Sequence, residues 1–138
     1  MPWSFATFLA LRRQALEAVG GFDPGQWLHA EDLDLGWRLR GAGWATLYEP
    51  GAVVRHAGSV ATRKAFWEEV ERRYMAASYA WMARRRGMAN ARAVAAINVA
   101  GESLRWLLTR GDAAAHHRRW AGVHAVGLGP RERLLGRY

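Results

Sequence analysis

The residues best suited to chemistry lie between positions 23 and 56: Asp23, Trp27, Glu31, Asp32, Asp34 and His56. A carboxylate within hydrogen-bond reach of a hydroxyl takes its proton as a new bond forms. Carboxylates with an imidazole can also hold a hard divalent cation. Asp32-Leu33-Asp34 is literally an Asp-x-Asp triplet. It falls inside a helical pattern, where residues two apart point about 200° away from each other, so it is not expected to chelate one ion. A plainer reading of the same acids is electrostatic, with Glu31, Asp32 and Asp34 at a helix start and Arg38 and Arg40 at its end. The plain reading of His56, alone after Val53-Val54, is a hydrogen-bonded or exposed imidazole at a strand end.

These side chains need elements to hold them. Trp3 to Leu11 alternates aromatic and small residues with a strand period. Arg12 to Val19 reads as a short helix closed by Gly20-Gly21, and Phe22-Asp23-Pro24-Gly25 as a turn. Gln26 to Ala30 is a connector, and Glu31 to Arg40 a helix packing through Leu35 and Leu39. Trp44 to Glu49 and Ala52 to His56 read as two extended pieces about Pro50-Gly51. From Thr62 onward the pattern is helical. One helix runs to Arg86 with Phe66, Val70, Tyr74, Ala77 and Trp81 on its face. A second follows an Asn90 cap, with Val94, Ile97, Gly101, Leu104 and Leu108 on its face. A third is capped by Asp112 and runs to about Ala125, and Gly127 to Tyr138 reads as a tail with a short basic turn.

Composition sets the outer limits. The 138 residues suit one domain able to bury a core, and eight Trp in a half-apolar chain exclude a disordered composition. With no Cys there is no disulfide, thiolate or Cys-zinc chemistry. No apolar run reaches the roughly 18–20 residues of a bilayer span, and no secretory signal opens the chain, so the expected location is cytoplasmic. The net charge of +8 is uneven. Residues 1–62 carry five Arg and six acids, whereas residues 63–138 carry fifteen Arg or Lys against six acids. Such a basic half is either a solvated helical surface or a face for phosphate on lipid or nucleic acid. His116, His117 and His124 are read as solvent-facing, since adjacent His side chains diverge on a helix and no acid or Cys completes a set.

In order, the chain reads Gly20-Gly21-Phe22-Asp23, Glu31-Asp32-Leu33-Asp34-Leu35, Arg38-Leu39-Arg40, Gly43-Trp44 and His56-Ala57-Gly58. Over residues 4–59 this run resembles the acceptor-side half of family 2 glycosyltransferases, in the bacterial rhamnosyltransferase-like branch. The resemblance implies an α/β fold, with residues 1–61 as the acceptor-side part of a GT-A, Rossmann-like domain; residues 62–138 read, from their charge and helical spacing, as a basic amphipathic helical extension. It implies inverting transfer of a sugar from a nucleotide-sugar donor to a glycan or lipid-linked acceptor, with Asp32 as catalytic base. Glu31, Trp27 and Asp23 would then contact the acceptor, and His56 would add a ligand to a divalent cation, Mg²⁺ or Mn²⁺.

The nucleotide-binding half of such a domain would lie before Ser4 and is not in this sequence. Most ligands for the cation would belong to it. The chain is therefore expected to be inactive by itself, as a cropped piece, the product of a misplaced start, a relic, or one half of an enzyme completed by a second chain. The competing reading is a non-catalytic basic module. It would bind an anionic membrane surface through residues 63–138, peripherally at the inner face, with Trp67, Trp81, Trp106 and Trp120 in the headgroup layer. Nucleic acid is not expected, because no helix-turn-helix, KH or RRM word is present. The glycosyltransferase words at 20–56 have no use in such a module.

Overall fold

The computed structural model describes residues 8–26, 29–56 and 69–136. The chain divides into two compact units, Met1–Ala65 and Phe66–Tyr138.

In the first unit, α1 spans Arg13–Ala18 and α2 spans Glu31–Gly41. Gly20 and Gly21 both take positive φ, and the Gly21 N–H reaches back to the Leu16 carbonyl at 2.9 Å, so the glycines terminate α1 in the left-handed region. The turn after it is closed by Asp23, whose Oδ1 accepts the Gly25 N–H at 2.8 Å. Ala15 from α1 and Leu35 and Leu39 from α2 form the core, with Leu9, Leu11, Leu16, Val19 and Trp44 packed around it. The leucine spacing of α2 thus does what its period predicts.

The strands expected here do not appear among the described residues. Residues 3–7 of the first lie outside the description, and Phe8 to Leu11 form no strand. Neither does Trp44 to Glu49 or Ala52 to His56, although the Pro50-Gly51 turn between them forms, with Ala52 N–H on the Glu49 carbonyl. A strand is defined by a ladder to a neighbour. These segments make no such ladder, and Leu47 and Val53 remain exposed instead of burying alternate sides. The α/β expectation is corrected to this extent: every described element is helical.

In the second unit, α3 spans Val70–Arg86, α4 Met88–Leu108, α5 Gly111–His124 and α6 Arg131–Leu135, with a 3₁₀ turn at Ala125–Leu128. The segment Gly127 to Tyr138 is therefore not a plain tail, since Leu134 is fully buried among Tyr79, Ala80, Ala83, Ala91 and Ala95. The core is alanine-rich, and the helices approach closely through it. Gly127 marks the closest point: a Cβ there would lie 2.7 Å from Ala95 Cβ and 2.8 Å from the Tyr79 ring.

One face assignment also changes. On α3, Ala77 and Trp81 are buried as expected, but Tyr74 is exposed and Tyr79 takes the core position. On α4 the packed side is Ala91 and Ala95, while the stripe of Val94, Ile97, Leu104 and Leu108 points outward. Asn90 is not a cap of α4. It lies inside the helix and donates to the Arg86 carbonyl at the end of α3. No described helix is long and apolar enough to cross a membrane.

Candidate active site

The two residues before α2, His29 and Ala30, both have positive φ (66° and 67°) without being glycine. Such conformations cost about 1–3 kcal/mol each and persist where the surroundings impose them. Gln26 is one of those surroundings: it is buried, and its side-chain amide donates to the His29 carbonyl at 3.2 Å. This left-handed step sets Glu31 and Asp32 on the first turn of α2.

The three acids of that turn then diverge. Asp32 is half-buried and lines a cavity of about 230 Å³ with Arg12, Ala15, Leu35, Leu39, Trp44 and Leu47 among its walls. Its Oδ1 accepts the Leu33 N–H at 2.7 Å. The cavity is smaller than the ~300–1,000 Å³ usual for a drug-sized ligand. Asp34, 1% exposed, points into the protein and pairs with Arg38 Nε at 2.6 Å. Arg38 in turn donates through Nη1 to the Val19 carbonyl at 2.6 Å, tying α2 to the end of α1. Asp32 and Asp34 are thus not a chelating pair. Glu31 is half-buried, and its Oε2 has no hydrogen-bond partner among the described residues.

Of the remaining sequence candidates, Asp23 is occupied in closing its own turn, and Trp27 lies outside the described residues. His56 is exposed and is not on the wall of the Asp32 cavity. No group of three or more His, Asp or Glu able to hold a metal ion occurs among the described residues. These residues alone therefore do not fit a divalent-cation centre.

Two residues near the site were not singled out from the sequence. His29 stands beside Glu31 and Asp32; burial pushes its pKa down, opposed by the charges of those two acids. Arg12 is among the residues that line the cavity. Neither role follows from periodicity, because His29 sits in a connector and Arg12 at the N-cap of α1. The available signals were a His two positions before the acidic pair and an Arg at a helix entry.

The second unit holds a separate polar network. Tyr79 accepts from Asn98 Nδ2 at 3.1 Å and lies 2.8 Å from His124 Nδ1. His117 Nδ1 is 2.7 Å from Glu102 Oε2. His117 and His124 therefore face partners within the bundle, which corrects the solvent-facing expectation for both; His116 is exposed, as expected.

The profile described as "Glycosyltransferase like family 2" matches residues 1–80, which include the whole of this site. The chain belongs to that family. It is similar to the N-acetylglucosaminyl-diphospho-decaprenol L-rhamnosyltransferases of two Mycobacterium tuberculosis strains, CDC 1551 / Oshkosh and ATCC 25618 / H37Rv, with 46% identity to each over 54 residues. That stretch is 39% of this chain and 18% of each relative, so the match covers a minor part of their length. No solved structure matches.

Proposed function

We propose that the first unit is the acceptor-side part of an inverting glycosyltransferase, with Asp32 as general base. The observation that carries this is the placement of Asp32 on the cavity wall while its neighbour Asp34 is committed to Arg38. An acceptor hydroxyl entering the cavity gives its proton to Asp32 as its oxygen attacks the anomeric carbon. The bond from that carbon to the diphosphate oxygen breaks, and the nucleoside diphosphate leaves with the electron pair.

In the same reading Glu31, Asp23 and Trp27 contact the acceptor. A buried carboxylate oxygen without a partner, as Glu31 Oε2, favours receiving a hydroxyl proton donor, since leaving it unmatched costs about 1–3 kcal/mol. Arg12 offers a charge-assisted contact to a phosphate. No step here is routed through a divalent cation, because the described residues supply no ligand set for one.

The donor is a nucleotide sugar and the acceptor a glycan or lipid-linked glycan, by analogy with the decaprenol-linked substrate in the relatives' name. Residues 1–61 form this part of a GT-A domain and residues 62–138 a helical extension. The test is a radiolabelled-sugar transfer assay in which a donor-binding half from a family member is supplied in trans. Transfer should appear only with both parts, and Asp32→Asn should lower it by about 10²–10⁴-fold. Undiminished transfer by that variant would remove Asp32 from the base role.

A further inference from the structure

The outward side of α4 is apolar over almost its whole length. At 3.6 residues per turn, Val94, Ile97, Gly101, Leu104 and Leu108 fall within about 80° of arc, and Ala93, Ala100 and Leu107 widen the stripe on one edge. Ile97 is 70% exposed, Leu104 57%, Leu107 74% and Leu108 75%. The opposite side is spoken for: Ala91 and Ala95 are in the core, Asn98 bonds Tyr79, and Glu102 bonds His117. The stripe therefore faces away from its own bundle.

Its surroundings are cationic. Residues 69–136 contain twelve Arg against five acids. Arg105 borders the stripe, and Arg110 stands just beyond the helix end. The 21 residues of α4 extend about 31 Å, and none of the helix qualifies as a span. An exposed apolar row flanked by arginine is the pattern of a helix lying in a headgroup layer, with apolar side chains below it and guanidinium groups among phosphates. The same surplus of positive charge opposes pairing with a second copy and favours an anionic surface.

We propose that α4 docks in plane on an anionic lipid bilayer through Val94, Ile97, Leu104, Leu107 and Leu108, with Arg105 and Arg110 at headgroup level. Trp81 plays no part in this contact, because it is buried, and Trp106 lies on the far side of α4, beneath the Arg118 guanidinium. The proposal stands on the helix face and the charge, and is independent of the glycosyltransferase reading.

The test is co-sedimentation of the full chain with vesicles of equal parts phosphatidylcholine and phosphatidylglycerol, against phosphatidylcholine alone. Binding should occur on the anionic vesicles, weaken in high salt, and fall about tenfold or more in the triple variant Ile97→Ser, Leu104→Ser, Leu108→Ser with unchanged circular dichroism. If that variant loses helicity, the absence of Cys allows a second measurement. An environment-sensitive dye on Ile97→Cys should shift to the blue with anionic vesicles, while the same dye on Arg72→Cys should not. Absence of vesicle binding, binding unaffected by the triple variant, an equal dye response at both positions, or a solution dimer dissolved by that variant without vesicle binding would each overturn the proposal.

Discussion

On the first turn of α2, acids two positions apart have opposite surroundings, and substitutions should separate them. Asp34 is enclosed with Arg38, so Arg38→Ala leaves a buried carboxylate without that partner and should destabilise the first unit by about 3–5 kcal/mol in denaturant titration. Replacing both by apolar residues of similar size should recover much of that loss. Gly127→Ala in the second unit should cost about 1–3 kcal/mol, because the added methyl meets the Tyr79 ring and Ala95 with no flexible end to give way. The divergence of Asp32 from Asp34 was legible in the sequence, since helical geometry alone separates residues two apart. The roles of Gln26, His29 and Arg12 were not. They depend on where an irregular connector folds back, and connectors carry no period to read.

At the scale of elements, helix existence followed from pattern, whereas helix orientation did not. In α2, Leu35 and Leu39, one turn apart, face the core, while Trp37 on the other side is exposed. In α4 the larger apolar side chains lie outside, and Ala91 and Ala95 are the ones buried. Small residues permit close approach to α3 and the 3₁₀ turn, and periodicity records only that an apolar stripe exists, not which stripe is covered. The three extended segments form no strand among the described residues for a related reason: an extended pattern marks readiness for a sheet, but a ladder needs a second strand. The shortest helix has a clear task, because α6 inserts Leu134 into the core of the second unit. Leu134→Ala should lower stability by about 2–5 kcal/mol, seen as an earlier urea midpoint with the same slope, if the cavity it leaves does not collapse.

For the molecule as a whole, acid should loosen the structure in two separate ranges. Burial pushes the His124 pKa below its usual value of about 6.5, and its Nδ1 already faces the Tyr79 hydroxyl. The neutral ring is thus favoured in the folded state. Its contribution is complete above about pH 6.5 and is lost as pH falls through the lower folded value. His29, lowered by burial in the first unit, acts in the same direction. The Glu102 carboxyl is held low chiefly by its hydrogen bond from His117, so its contribution is lost only at still lower pH, below about 4.5. Thermal melts should therefore be flat from neutrality to about pH 9, below the Tyr79 range, and decline from about pH 6.5 downward. His124→Asn, which keeps an acceptor near Tyr79 but cannot titrate there, should reduce the slope of the upper range. The central claim concerns chemistry rather than stability. It is tested most directly by comparing sugar transfer of the chain and of Asp32→Asn, each supplied with a donor-binding half. We expect transfer by the first and a loss of about 10²–10⁴-fold in the second, with folding unchanged. Equal transfer by both would contradict the account.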